Sequence, residues 1–164
     1  MSRHSSPKQA LALVAWVALC LAVAALGAAA SVDAASFYAR LQRPAWAPPA
    51  GLFGPVWSVL YVTMGIASWL VWRVPSSSLR TRALVLFLVQ LAVNSLWSWL
   101  FFAWRIGPAA FVDVVALLVL IALTVAAFRR VSNVAAALLL PYLGWVAFAC
   151  ALTWWVWQHN PAML

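Results

Sequence analysis

Five apolar runs of about 20 residues each constrain this chain more than any other feature, because that length matches the hydrocarbon thickness of a bilayer. The runs lack barrel-like alternation, and backbone groups in lipid must be satisfied within their own segment, so each run is predicted to be a helix. The sequence therefore predicts an all-α integral membrane protein, a five-transmembrane-helix bundle forming one domain over residues 1–164. The predicted spans are residues 9–30, 56–74, 83–104, 109–128 and 134–157.

Composition excludes a soluble domain and a nucleic-acid binder. Of the residues, 68% are hydrophobic and 7% are charged, whereas a soluble domain carries about 25% charged residues. The net charge of +8 would suit nucleic acid, but the basic residues are scattered between apolar runs and form no dense patch. We therefore expect lipid as the solvent and no nucleic-acid partner.

The basic residues also predict an orientation. The N-terminal side of the bundle is the more basic one, so we expect the N-terminus in the cytoplasm and the C-terminus on the opposite side, in a bacterial cell membrane. That side carries Arg3, Lys8, Arg73, Arg80, Arg82, Arg129 and Arg130, and the other carries Arg40, Arg43 and Arg105.

The first run has a second interpretation, as a cleaved signal peptide, because Arg3 and Lys8 precede it and small residues follow at 28–31. Its length and the four later spans favour a retained membrane helix. The two cysteines, Cys20 and Cys150, fall inside spans and are expected to be buried free thiols.

The connection formed by residues 31–55 is stiff and aromatic. Four prolines lie within residues 44–55, counting Pro44 and Pro55 themselves. They prevent a regular helix there and lower the entropy lost when the segment is ordered. One interpretation is an interfacial belt of Trp and Tyr. The other is a lid over a cavity between helices.

The chain has twelve tryptophans; those near span ends suit an interfacial belt, and three others lie in polar and aromatic stripes on three of the predicted helices. Ordinary helix packing through interhelical hydrogen bonds is one explanation, and a shared pocket with aromatic walls and a few polar groups is the other. The stripes are Trp57, Tyr61, Met64 and Ser68 on the second helix, Gln90, Asn94, Trp97 and Phe101 on the third, and Tyr142, Trp145, Ala149 and Thr153 on the fifth.

These residues carry a resemblance. The segment from Phe37 to Pro49, with its Pro44-Ala-Trp46 core, and the motif Pro141-Tyr142-Leu-Gly-Trp145 resemble the TspO/MBR family of tryptophan-rich sensory proteins and mitochondrial translocator proteins. The similarity covers roughly residues 10 to 160. If the source were eukaryotic, the resemblance would imply that the protein is located in the mitochondrial outer membrane.

The resemblance implies a homodimeric five-helix bundle that binds porphyrins, either protoporphyrin IX or haem, and related flat apolar ligands, with no cofactor required and no metal site. Asn94 would orient the ligand, so its loss is expected to alter selectivity more than folding. The pocket residues that the resemblance implies are Tyr38, Trp46, Trp57, Tyr61, Asn94, Trp97, Phe101, Trp145, Ala149 and Leu152.

Two departures from the family pattern matter. Phe37 stands where many members have Trp, and residues 152–158 lack the Tyr and the basic residue of the family's sterol motif, so no sterol binding is expected through that segment. Both histidines, His4 and His159, lie in the tails, so a bound porphyrin's iron should matter little.

Three functions remain open. The first is a porphyrin sensor or carrier. The second is enzyme-like, light-dependent porphyrin degradation, for which the resemblance implicates Trp57 and Trp145. The third is a structural or regulatory membrane partner. Asp33 and Asp113 are the two acids, and Asp113 within the fourth span is interpreted as a hydrated or hydrogen-bonded group.

The first helix also predicts association. Small residues recur four apart, at Ala24 and Ala28 and at Gly27 and Ser31, a spacing that lets helix backbones approach closely. We expect a homodimer whose interface includes this helix.

Overall fold

The computed structural model describes residues 6–164, and the regular secondary structure in that range is helical, with no strand. Its helices are α1 (Ser6–Ala30), α2 (Ala34–Arg40), α3 (Phe53–Trp72), α4 (Ser78–Ser98), α5 (Gly107–Arg129), α6 (Asn133–Leu138) and α7 (Leu140–His159). Five segments are long and apolar enough to cross a membrane, namely Pro7–Ala30, Ala50–Trp72, Ser78–Ala103, Gly107–Arg129 and Asn133–His159. The predicted all-α, five-span membrane bundle is confirmed.

Local chemistry sets where the helices end. Ser77 accepts a hydrogen bond from the Arg80 backbone N–H and caps the start of α4. The Arg80 guanidinium donates to the carbonyls of Trp72 and Val74 and so ties the first turn of α4 to the end of α3. The fifth span is interrupted at Leu139 because Pro141 has no N–H to continue the helical ladder from α6 into α7.

Two segments differ from regular α-helix. A 3₁₀ turn, Ala50–Leu52, leads into α3, and α3 itself begins at Phe53, inside the predicted loop. Pro55 is tolerated there because N–H groups in a helix's first turn have no intrahelical partner. After Ser98 the chain continues for one π-helical turn, Trp99–Ala103, closed by a 2.8 Å bond from the Trp104 N–H to the Trp99 carbonyl.

The spans form a closed ring in which α1 packs on α3 and α4, α3 packs on α6, α6 and α7 pack on α5, and α5 packs on α4. Five crossings place the two ends of the described chain on opposite faces of the bundle. The face that carries the C-terminal end also carries α2 and the connection between α1 and α3, and we call residues 31–52 the loop. Arg3 and His4 lie outside the described residues.

Two apolar clusters hold this arrangement. The larger one fills the centre of the ring and includes the fully buried Met64, Phe87 and Ile121. The smaller one joins the loop to the helix ends beneath it, with Phe37 packed against Phe101 and Leu152. Cys20 is buried and Cys150 partly buried, and both are free thiols. The loop is therefore packed onto the bundle by its own apolar side chains.

Candidate ligand site beneath the loop

A cavity of about 520 Å³ lies among α1, α3 and α4, beneath the loop. That volume falls within the range of about 300–1,000 Å³ typical of small-molecule sites. Its lining residues are Ala24, Ala25, Gly27, Ala28, Ser31, Val32, Ala34, Ala35, Tyr38, Ala50, Phe53, Gly54, Trp57, Ser58, Tyr61, Asn94, Trp97, Ser98 and Phe102.

The α1 wall of the cavity is built from small residues. Gly27 is buried, and a methyl group on its Cα would lie 3.2 Å from the Ser98 hydroxyl of the facing helix. The Ser31 hydroxyl turns back to donate to the Gly27 carbonyl at 2.8 Å. The space exists because this face of α1 presents backbone and methyl groups where larger side chains would fill it.

The opposite walls are aromatic. The Trp57 ring lies 5.6 Å from the Tyr61 ring and 6.2 Å from the Tyr142 ring, centroid to centroid. Trp97 stacks on Phe101 at 5.2 Å with a 14° angle between the planes, and Phe102 meets Trp97 edge-on. Such walls give flat faces to an apolar, planar ligand.

A buried chain of hydrogen bonds runs from the cavity into the bundle. The Tyr61 hydroxyl donates to Asn94 Oδ1 at 3.1 Å, Asn94 Nδ2 donates to the Tyr142 hydroxyl at 2.6 Å, and that hydroxyl donates to Gln90 Oε1 at 2.8 Å. Three helices, α3, α4 and α7, are thereby joined. Of the residues in this hydrogen-bond chain, Tyr61 and Asn94 line the cavity, beside the hydroxyl side chains of Ser58 and Ser98.

A second compartment, of about 30 Å³, lies on the far side of four shared residues. Tyr38, Phe53, Trp97 and Phe102 line both spaces. The Phe53 ring meets Tyr38 at 5.4 Å on one side and Trp145 at 5.9 Å on the other, both edge-on. Phe53 is thus the partition between the two compartments.

The predicted pocket residues are divided by this partition. Trp57, Tyr61 and Asn94 line the large cavity only, Tyr38 and Trp97 line both spaces, and Trp46 lines neither, being 50% exposed and packed edge-on against Phe148 at 5.6 Å. The small compartment alone holds Phe101, Trp145, Ala149 and Leu152. Trp57 and Trp145 therefore do not face each other across one space.

Sequence reasoning missed several lining residues. Phe53 lies one turn before Trp57, so the periodicity of α3 would have found it had that turn been assigned to the helix. Phe102 faces the cavity because the π-helical turn shifts the register beyond Trp97 by one residue. The small residues of α1 were assigned to association between chains, yet they line the cavity of a single chain.

Two arginines lie over aromatic rings of α2. The Arg43 Cζ is 4.7 Å from the Tyr38 ring centroid, and the Arg105 Cζ is 4.7 Å from that of Phe37. Burial raises the pKa of the Tyr38 phenol, and the Arg43 charge opposes this shift. The phenol is therefore neutral at physiological pH and donates to the Pro48 carbonyl at 3.0 Å, bracing the loop on itself.

Among the described residues, no histidine, methionine, cysteine or acidic side chain lines either compartment. His159 ends α7, where its ring stacks on Trp155 at 3.7 Å. Met64 is fully buried and lines neither space. Asp113 is buried in α5 with its Oδ2 unpartnered among the described residues, and it too lines neither. The candidate site is therefore an aromatic and amide site in which no acidic side chain takes part.

Comparison with known proteins shows the family to which the chain belongs. The model of the TspO/MBR family matches residues 16–158. The chain is 42% identical over 159 residues to the tryptophan-rich protein TspO of Chlorobaculum tepidum, covering 94% of this chain and 99% of that protein. It is 42% identical over 127 residues to the human translocator protein, covering 76% and 75%. It is 33% identical over 137 residues to the tryptophan-rich sensory protein of Cereibacter sphaeroides, covering 84% of each.

Proposed function

Because the chain belongs to the TspO/MBR family, we propose that it is a membrane receptor or carrier that binds porphyrins in the cavity beneath the loop. Relatives named as sensory and translocator proteins support a receptor or sensor in the membrane. The ligand class is supported by the shape and chemistry of the cavity.

The observation that carries this proposal is a cavity of about 520 Å³ with aromatic walls and a few polar side chains, among them Tyr61 and Asn94. Trp57 and Trp97 offer ring faces on which a planar macrocycle can stack. Tyr61 and Asn94 offer hydrogen-bonding groups that are already held in place by the buried chain behind them. A flat, largely apolar ligand with few polar atoms matches that combination.

Charge supports the same ligand class. The loop side of the bundle carries Arg40, Arg43 and Arg105, all exposed, against the single acid Asp33. The carboxylates at the rim of a porphyrin would meet positive charge there while the ring enters the apolar cavity.

We also propose that the loop side faces away from the cytoplasm, because the opposite side of the bundle is the more basic one. That opposite side carries Lys8, Arg73, Arg80, Arg82, Arg129 and Arg130. Reporter fusions at each terminus would test this orientation.

The test is a titration of the purified protein with protoporphyrin IX, followed by quenching of tryptophan fluorescence, on variants shown to be folded by circular dichroism. Trp57→Ala removes a stacking face and buried apolar contact, so we expect affinity to fall by about 1–3 kcal/mol. Trp154→Ala is the control, because Trp154 is 47% exposed and lines neither compartment. Equal losses in both variants would show that quenching reports the bilayer side of the protein.

Light-driven degradation of the bound porphyrin stays a second prediction. The resemblance implicates Trp57 and Trp145 in this reaction, and the two residues line separate compartments. Illuminating the complex and following porphyrin absorbance tests this function separately from binding.

A homodimer through α1 also stays a proposal. Ala24→Phe with Ala28→Phe should give monomers in detergent, but both residues line the cavity, so the pair should weaken porphyrin binding as well. Ala29→Phe is the matched control, since Ala29 is exposed and lies outside the cavity. A variant that stays dimeric and loses binding would assign the stripe to the cavity alone.

A further inference from the structure

One side chain at the end of α7, that of Asn160, holds the loop by its backbone. Asn160 Oδ1 accepts from the Gln42 N–H at 2.8 Å, and Asn160 Nδ2 donates to the Gln42 carbonyl at 3.0 Å. The amide thus pairs with both main-chain groups of one loop residue. A third bond, 2.7 Å from Nδ2 to the Val156 carbonyl, anchors the amide on the last turn of α7.

The chemistry of this pairing requires a carboxamide. Only Asn and Gln place a neutral donor and an acceptor in one plane at the end of a short side chain. The orientation of the amide is fixed by its partners, because Nδ2 meets two carbonyls and Oδ1 meets an N–H. Asn160 is 7% exposed, its bond to Val156 is buried, and its two bonds to the exposed Gln42 are partly buried.

Gln42 lies where the two halves of the loop meet. Before it, α2 ends at Arg40 and carries Tyr38, which lines both compartments. After it, the proline-rich part of the loop passes over α7, where Trp46 rests on Phe148. Holding the Gln42 backbone therefore fixes the direction of α2 before it and of the proline-rich part of the loop after it.

The loop's other attachments to the helices beneath it are less directional. They are apolar contacts, such as Trp46 on Phe148, and the Arg105 guanidinium over the Phe37 ring. Across residues 6–164, the hydrogen bonds that tie loop residues 31–49 to the end of α7 all run through Asn160. Apolar contacts can slide, whereas this pair must break before the loop can lift.

We propose that Asn160 is a latch, a positioning residue that keeps the loop closed over the cavity and sets how fast ligand enters and leaves. The inference rests on the proposed function for the ligand, but loop opening is measurable without one. Neither Asn160 nor Gln42 lines a compartment, so the latch is the same in the empty and the occupied protein. Its loss should speed entry and exit together and leave affinity nearly constant.

The first measurement is amide hydrogen exchange by mass spectrometry, without ligand, on residues 41–49. In Asn160→Ala we expect these amides to exchange about tenfold faster, equivalent to about 1.4 kcal/mol. Asn160→Asp keeps the size and the acceptor but sets a charged oxygen against two carbonyls, so it should also exchange faster. If the alanine variant does not fold, the aspartate variant decides the matter.

Asn133→Ala is the matched control for both variants. It makes the same chemical change at a helix start on the opposite face of the bundle and should exchange like the wild type at residues 41–49. Unchanged exchange in both Asn160 variants would overturn the latch.

The second measurement is stopped-flow quenching by protoporphyrin IX. In Asn160→Ala we expect both association and dissociation rates to rise about tenfold, with Kd changed by less than about threefold. Faster dissociation alone, with a weaker Kd, would make Asn160 part of the binding surface, and unchanged rates would remove its control of exchange; either result overturns the proposal. A wild type that binds no protoporphyrin IX would defeat the proposed function, while the exchange measurement would still decide the latch.

Discussion

Asn94 shows how one residue can serve both the ligand site and the fold. From α4 it accepts a hydrogen bond from Tyr61 on α3 and donates one to Tyr142 on α7, and it is buried. The sequence suggested an orienting group whose loss would alter selectivity more than folding. Because both the oxygen and the nitrogen of its amide are hydrogen-bonded to other helices, we expect the loss of Asn94 to lower the stability of the fold as well.

The corresponding prediction compares two substitutions. Asn94→Leu leaves two buried tyrosine hydroxyls without their amide partner, so we expect the free energy of unfolding to fall by about 1–3 kcal/mol. Tyr61→Phe removes one hydrogen bond beside the cavity, where its loss should cost about 0.6–1.7 kcal/mol. Detergent-titrated unfolding followed by circular dichroism measures both. Equal stability of Asn94→Leu and the wild type would mean that the chain of hydrogen bonds contributes nothing to folding.

At the scale of elements, α1 crosses α3 with the two helix backbones in close contact at Gly65 and Val17. A methyl group on Gly65 would lie 2.7 Å from the Cα of Val17, a backbone atom that cannot move without moving α1. Glycine is required here to let two helix backbones approach, which is the usual role of small residues between membrane helices.

Gly65→Ala should therefore push α1 away from α3. We expect a loss of about 1–3 kcal/mol in unfolding free energy, the usual cost of overpacking, and weaker porphyrin binding, because α1 forms one wall of the cavity. Gly144→Ala is the control, since a methyl group there meets nothing within 4 Å, and removing a mid-helix glycine should be neutral or stabilising by up to about 1 kcal/mol. Similar thermal stability of the two variants would contradict the close crossing.

The partition at the start of α3 gives a prediction about coupling. Removing the Phe53 ring should join the 30 Å³ compartment to the 520 Å³ cavity and let a ligand reach Trp145. Trp145→Ala should then weaken protoporphyrin IX binding in a Phe53→Ala background by at least about 1 kcal/mol more than it does alone, the signature of coupled sites. The same effect of Trp145→Ala in both backgrounds would show that ligand already spans the partition.

Sequence alone predicted those elements whose signal is local. Span length and composition revealed the five crossings, and the loop and Pro141–Trp145 motifs revealed the family, which is confirmed. A small-residue stripe such as that at Ala24 and Ala28 signals close approach but not whether it faces a cavity or another chain. Asn160 belongs to no pattern, and its role appears only once α7 returns to the loop 118 residues after Gln42.

At the scale of the whole molecule, the ring of helices has one elaborated face and one plain face. The loop, the short connection after Trp104 and the C-terminal end all meet on the cavity side, while the connections on the opposite side within residues 6–164 are two short turns, 73–77 and 130–132. The cavity therefore opens towards the loop side for exchange through the aqueous phase, and the residues proposed to control that exchange come from the loop and from the end of α7.

The residues gathered around the two compartments bear on whether iron matters to binding. They include no histidine, cysteine or methionine, and the hydroxyl of Tyr61 is engaged by Asn94. His159 lies at the end of α7, against Trp155. Binding should then depend on the macrocycle and its carboxylates, since haem proteins that use the metal supply an axial His, Cys, Met or Tyr.

We therefore expect protoporphyrin IX and haem to bind with dissociation constants within about tenfold of each other, a difference of about 1.4 kcal/mol at most. Parallel fluorescence titrations measure the two constants, and the absorption spectrum of the haem complex reports whether the iron gains a protein ligand. His159→Ala is the control and should leave both affinities and the spectrum unchanged. Haem binding more than tenfold tighter, with a ligated-iron spectrum that His159→Ala or Tyr38→Phe abolishes, would mean that the loop or the end of α7 moves inward to bind the metal.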